Sequence, residues 1–75
     1  MPYSETEQEK LIRLGNKVRE ARLDQGLTLK DLAHKIGKDI QSVQRLEKGN
    51  INPTFLYLSE ICAGLEIKLS VLLAE

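Results

Sequence analysis

The residue types of this 75-residue chain that could do chemistry do not form a catalytic set. The sequence has no Ser/His/Asp arrangement, carboxylate pair or glycine-rich phosphate loop. His34 and Cys62 are each the only residue of their type, so no metal-ligand spacing is present. We therefore predict a protein that is not an enzyme and has no cofactor, no metal and no small-molecule ligand.

The net charge is zero, but the charges are unevenly distributed along the chain. Residues 10–50 carry ten Lys or Arg against five Asp or Glu, whereas residues 1–9 and 51–75 are net acidic. A basic central stretch is typical of proteins that bind nucleic acids. Mixed charge also covers the solvated faces of helical proteins with other functions, so the charge pattern alone leaves both interpretations open.

The length limits the chain to one domain with a small core. A domain of this size buries only about 60% of its unfolded surface, so a partner subunit can complete the core. One cysteine excludes an internal disulfide. The polar, acidic start predicts neither a signal peptide nor a membrane span, and we expect a cytoplasmic protein.

Two short amphipathic segments joined by a turn lie at residues 28–49. Apolar residues recur at helical spacing in both segments: Leu32, Ala33, Ile36, then Ile40, Val43, Leu46. Gly37 lies between them, where the chain must adopt an unusual dihedral angle. Thr28 and Asp39 are suitable N-caps for the two helices. This pattern predicts a helix-turn-helix, in which one helix braces against the DNA backbone while the next enters the major groove.

A longer helix is expected before this pair. It begins between Ser4 and Glu7, which fit the S-x-x-E capping box, and Gly26 ends it. Gly15 lies inside the pattern and weakens the helix by about 1 kcal/mol relative to alanine, so packing must offset that cost. The predicted boundaries are a flexible tail at residues 1–6 and a single helix-turn-helix domain at residues 7–75.

Two more helices are expected after the pair, the fourth capped by Thr54 and extending through Leu65, and the fifth from Lys68 to about Leu73. The predicted apolar stripe of the fourth helix consists of Phe55, Leu58, Ile61, Cys62 and Leu65. No stretch alternates apolar and polar residues for long enough to predict a strand. The sequence therefore predicts an all-α fold with five helices.

These elements together resemble the phage-repressor type of helix-turn-helix domain, the Cro and lambda-repressor family. The resemblance covers about residues 10–73. Each element is weak alone, but their order and register are distinctive. The matching residues are Gly26-Leu27-Thr28, Asp31-Leu32-Ala33, Ile36-Gly37, Val43, Arg45-Leu46-Glu47-Lys48-Gly49, Asn52-Pro53-Thr54, Leu58, Ile61 and Leu65.

The resemblance implies a lambda-repressor-like bundle that binds double-stranded DNA as a homodimer and regulates transcription from a palindromic operator. Base contacts in the family come from the exposed face of the third helix, which here carries Ile40, Gln41, Gln44 and Arg45. Glutamine can pair with adenine and arginine with guanine. The implied contacts to the DNA backbone are Thr28, Lys30, Lys38, Lys48, Asn50 and Asn52.

Three departures from the family pattern favour an alternative, a protein-interaction module that keeps the fold without reading DNA specifically. Leu29 stands where the family often has glutamine, and it cannot form a hydrogen bond. Asp39 caps its helix but would repel a nearby phosphate. Ile40 can contact a thymine methyl group or pack against the core.

The resemblance also bears on assembly and on one ion pair. Leu56 and Val71 are apolar where relatives are often polar, and with Leu72 and Leu73 they predict a twofold dimer interface on the fourth and fifth helices. A better-filled monomer core is the alternative. Arg22 and Glu47 occupy positions similar to an internal ion pair of some family members; two separate surface charges are the alternative there.

Overall fold

The chain folds as a bundle of five α-helices in a computed structural model that describes residues 3–74. The helices are α1 (Glu5–Asp24), α2 (Leu29–Ile36), α3 (Ile40–Glu47), α4 (Phe55–Leu65) and α5 (Leu69–Leu73). Strands are absent from the described part of the chain, which confirms the all-α prediction. Residues 1, 2 and 75 of the predicted tail and domain lie outside the described residues.

Side-chain caps begin four of the five helices, at Ser4, Thr28, Asp39 and Thr54. Each cap oxygen accepts a hydrogen bond from the amide three residues later, which satisfies a donor that the helix itself leaves unpaired. The Ser4 box with Glu7 starts α1 at Glu5, inside the segment predicted as tail. The helices α2, α3 and α4 begin directly after the caps predicted for them.

All five helices contribute to one apolar core. Its buried members are Val18, Leu32, Ala33, Val43, Leu46, Leu58, Ile61, Cys62, Leu65 and Leu72. Burial raises the pKa of the Cys62 thiol, as expected for a core residue that is not a nucleophile.

Two apolar residues lie elsewhere than predicted. Leu72, predicted on the dimer surface, is 2% exposed and belongs to the core. The short α5 packs against α1 and α4, and Leu69 and Leu72, three residues apart, share its inner side. Phe55, predicted in the core stripe, is 68% exposed at the first position of α4.

The backbone of α1 lies close to α3 and to the loop that follows it, and a glycine stands at each of the two contacts. A Cβ atom added at Gly15 would overlap the carbonyl oxygens of Leu46 and Glu47 and would lie 2.7 Å from the Glu47 carbonyl carbon. A Cβ atom at Gly49 would lie 2.7 Å from the amide nitrogen of Ile12. The close approach explains why a glycine interrupts the helical pattern of α1, and it provides the packing that offsets the weaker helix.

A buried ion pair crosses the same interface. Arg22 donates from Nε to Glu47 Oε2 at 2.7 Å and from Nη2 to Glu47 Oε1 at 2.9 Å. Its Nη1 donates to the Leu27 carbonyl at 2.8 Å, which links the loop before α2 to the ion pair. The Glu47 hydrogen bond raises the pKa of Arg22 above its ordinary value. The ion pair predicted from the resemblance is confirmed, and loss of one partner from such a pair typically costs about 3–5 kcal/mol.

Gly15→Ala tests the close approach. We expect the free energy of unfolding to fall by about 1–3 kcal/mol, the range for overpacked sites, although alanine favours the helix by about 1 kcal/mol. Urea denaturation followed by circular dichroism measures the change. Asn16→Ala, at an exposed neighbouring position, is the control and should not destabilise the protein. A Gly15→Ala variant as stable as the wild type would contradict the close approach.

Candidate nucleic-acid interface

The outer face of α3 presents the side chains predicted to contact bases. Ile40, Gln41, Gln44 and Arg45 are all exposed, whereas the inner side of the helix is buried through Val43, Leu46 and Glu47. The structure therefore brings the four predicted residues together on one short helix. Two amides and a guanidinium on an eight-residue helix are suited to base edges in a major groove.

A polar contact attaches α3 to α4. The hydroxyl groups of Ser42 and Tyr57 are 2.7 Å apart. The Nζ of Lys38 lies 5.5 Å from the centre of the Tyr57 ring and 3.1 Å from Glu60 Oε2. Lys38, predicted to contact a phosphate, is thus directed toward α4 in this structure. Its exposed pair with Glu60 contributes little to stability, so a phosphate can compete for the same ammonium group.

The sequence alone does not decide whether Tyr57 is an exposed residue, an interface residue or a core residue. The structure places it half-buried, with its ring beside Lys38 and its hydroxyl on α3. The available signal was a tyrosine between two leucines in the first turn of α4, since a partly buried ring needs a partner for its hydroxyl group.

The first turn of α2 carries the second group of predicted contacts. Thr28 and Lys30 are exposed, and Thr28 forms a reciprocal capping box with Asp31, with N···O distances of 2.9 and 3.0 Å. The amide of Thr28 donates to the Asp31 carboxylate, which lowers the pKa of that carboxyl below its ordinary value. Leu29 is half-buried and packs against the core, which accounts for an apolar residue at this position.

The loop after α3 carries the third group. Lys48, Asn50 and Asn52 are exposed, with the buried Gly49 between the first two. The Asn50 amide donates to the Arg45 carbonyl at 2.9 Å, so the loop folds back onto the end of α3. The Gly49 carbonyl accepts a hydrogen bond of 2.6 Å from Gln8 Nε2. Sequence reasoning missed Gln8, and the available signal was a polar residue at helical spacing from Leu11 and Gly15.

A separate set of exposed apolar residues, here called the apolar face, lies on α4 and α5. Its members are Phe55 (68% exposed), Leu56 (70%), Val71 (53%) and Leu73 (57%). Three of them were predicted as dimer contacts; Phe55 replaces Leu72 in that set. Exposed apolar residues on two packed helices suggest a surface that a partner covers.

Other kinds of site are not evident in the described part of the chain. Residues 3–74 contain no group of three or more His, Cys, Asp or Glu side chains that could hold a metal ion. Among the helices described, none is both long enough and apolar enough to cross a bilayer.

Comparison with known proteins gives one family. The family model described as helix-turn-helix matches residues 18–72. The transcriptional regulator ClgR of Mycobacterium tuberculosis is 32% identical over 62 residues, which are 83% of this chain and 55% of that protein. The chain thus spans about half the length of the curated relative that it matches.

Several solved structures share this fold. The restriction-modification controller protein C.AhdI from Aeromonas hydrophila superposes with a TM-score of 0.81 at 29% identity, covering 83% of this chain and 94% of that one. The controller protein C.Esp1396I, crystallised as a tetramer with its natural 35-base-pair operator, gives 0.78 at 30% identity, covering 85% and 84%. The clp gene regulator ClgR from C. glutamicum gives 0.81 at 26% identity, covering 85% and 83%.

Asp31→Asn tests the electrostatic part of the α2 cap. Because the folded-state pKa of Asp31 is lowered, its ionised carboxylate stabilises the fold above the ordinary carboxyl pKa of about 3.9. This contribution is lost as the pH falls through the lowered value. We expect the wild type to be more stable than Asp31→Asn at neutral pH, and the difference to vanish in acid.

Thermal melts between neutral and strongly acidic pH measure this difference. Asp24→Asn, which removes a negative charge outside any capping box, controls for the change in net charge. A difference between wild type and Asp31→Asn that stays constant with pH would contradict the assignment.

Proposed function

Because this chain belongs to the helix-turn-helix family, we propose that it is a sequence-specific DNA-binding transcriptional regulator, acting as a repressor or autoregulator. The observation that carries the proposal is the exposed row of Gln41, Gln44 and Arg45 on α3. These amide and guanidinium groups match the base edges of adenine and guanine in the major groove. The relatives named above support the proposal, since they are regulators and one was crystallised on its operator.

The phosphate contacts in this proposal flank α3. Thr28, Lys30 and Lys38 precede it, and Lys48, Asn50 and Asn52 follow it. All six are exposed, and lysines in this role release counterions when they bind DNA. Affinity should therefore fall steeply as the salt concentration rises. Lys38 must break its ion pair with Glu60 to reach a phosphate, so it should contribute less to DNA affinity than Lys30 or Lys48.

We also propose that the regulator is a homodimer that reads a palindromic operator. The apolar face supports this proposal, because a twofold axis across α4 and α5 would cover the exposed side chains of Phe55, Leu56, Val71 and Leu73 in both copies. The two α3 helices would then dock in successive major grooves about one helical turn apart.

A protein-interaction module remains the second candidate, favoured by one observation. Ile40 is 43% exposed at the start of α3, where it presents an apolar surface beside the charge of Asp39. Leu29 does not add to this surface, since it packs against the core.

The cytoplasmic location stays a prediction from the sequence.

Selection of bound sequences from a random DNA pool separates the two candidates. A regulator should enrich a palindromic motif, and the half-site spacing should equal about one helical turn. A protein-interaction module should enrich no motif. Its affinity for genomic DNA fragments should be no higher than its affinity for random DNA. The latter result would exclude the regulator.

Arg45→Ala and Lys48→Ala distinguish base reading from phosphate binding. Arg45→Ala should cost about 1–3 kcal/mol on the selected operator and relax the preference at one base position. Lys48→Ala should weaken operator and random DNA equally and should reduce the salt slope by about one. Fluorescence anisotropy at several salt concentrations measures both effects, and negligible effects of both variants would exclude α3 as the reading element.

Leu56→Asp tests the dimer. The charge should weaken self-association at least tenfold, or about 1.4 kcal/mol, because it would be buried unpaired in the interface. Sedimentation equilibrium from low to high micromolar concentration measures the change. Leu23→Asp alters an apolar residue on α1 that is 51% exposed and outside the apolar face, so it should leave association unchanged. A wild-type monomer at high micromolar concentration would defeat the dimer proposal.

A further inference from the structure

Gln8 has a buried side-chain amide in α1 and belongs neither to the apolar core nor to the predicted DNA contacts. The residue is 8% exposed. Its Nε2 donates a hydrogen bond of 2.6 Å to the carbonyl of Gly49, 41 residues further along the chain. The Ser4 and Glu7 capping box fixes the backbone of α1 just before it. A single hydrogen bond therefore links the start of α1 to the loop that follows α3.

A hydrogen bond and a packing contact both restrain the backbone of Gly49. Its amide donates to the Leu46 carbonyl at 3.1 Å, and the backbone there has a φ of 75°, in the left-handed region. On the other side, the backbone of Ile12 leaves no room for a Cβ atom at position 49. The bond from Gln8 fixes the remaining polar group of this residue, its carbonyl oxygen.

Lys48 and Asn50 flank this fixed point. Both are exposed, and both belong to the phosphate contacts of the proposed function. A rotation of the backbone at Gly49 would redirect both neighbouring side chains, because their Cα atoms are joined through that residue. An oriented pair of donors binds a phosphate better than a mobile pair, since less conformational freedom is lost on binding.

We propose that Gln8 is a positioning residue for DNA binding, which orients Lys48 and Asn50 toward the phosphate backbone through its hydrogen bond to Gly49. The assignment rests on the proposed function, and it gives Gln8 no DNA contact of its own. It extends the DNA-binding machinery from the helix-turn-helix to the first turns of α1.

Gln25, the C-cap residue of α1, provides a control with the same side chain. Its Nε2 also donates to a distant backbone carbonyl, that of Leu65 at the end of α4. Gln8→Met and Gln25→Met each keep the side-chain length and remove the donor. Both should lower the melting temperature, because each leaves a carbonyl oxygen without its hydrogen-bond partner.

Only Gln8→Met should weaken DNA binding. We expect a loss of about tenfold on the selected operator and on random DNA alike, with the salt slope reduced by about one. The ratio of operator to random affinity should be unchanged, since the reading face of α3 is intact. Fluorescence anisotropy well below both melting temperatures measures these quantities, so a change in overall stability alone does not alter them.

Two results would overturn the assignment while leaving the proposed function in place: wild-type affinity in Gln8→Met, or equal losses in Gln8→Met and Gln25→Met. If Gln8→Met does not fold at the assay temperature, Gln8→Ala, which admits water to the Gly49 carbonyl, must show the same loss. A wild-type protein that selects no DNA sequence would remove the proposed function and this assignment together.

Discussion

The close approach of α1 and α3 is the constraint on which the rest of the structure depends. Gly15 lets the α1 backbone lie directly against the carbonyl groups of Leu46 and Glu47. At that distance the Arg22 guanidinium reaches the Glu47 carboxylate in a two-point contact, buried from water. Any residue larger than glycine would separate the helices and weaken both the packing and the ion pair. The orientation of α3 is therefore set by α1, which packs against its inner side.

Polar contacts from three directions complete this support of α3. The ion pair holds its C-terminal end, the Ser42 and Tyr57 hydroxyl pair holds its first turn, and Gln8 holds the loop that follows. Each contact is a hydrogen bond between partners at least 15 residues apart in sequence. Hydrogen bonds are directional, so they restrict rotation of a short helix in a way that apolar packing alone does not. Such restriction matters for the proposed base-reading role of this eight-residue helix, because small rotations would displace its side chains from the base edges.

Local signals in the sequence were sufficient for the helices and their caps. Thr28, Asp39 and Thr54 cap helices at the positions predicted, because capping depends on residues only three apart. Whether an apolar residue reaches the core depends also on how the helices are oriented relative to one another, which local spacing does not show. Phe55 fits the apolar stripe of α4 by spacing, yet its position at the first turn leaves it outside the core. Helical spacing marks Gln8 as a polar residue on the inner side of α1, but its partner could not be assigned from sequence, since that partner lies 41 residues away and is a backbone carbonyl that any residue type would supply.

The helix α3 has one buried face and one exposed face, and this division affects which of its residues can be substituted. Its inner residues, Val43, Leu46 and Glu47, are committed to the core and the ion pair, whereas Gln41, Gln44 and Arg45 project outward. Substitutions at exposed positions of this kind usually change stability by less than about 0.5 kcal/mol. In the proposed function, base preferences can therefore change through substitutions at three or four outer positions without unfolding the protein. The same eight residues thus combine positions whose substitution disturbs the fold with positions whose substitution does not.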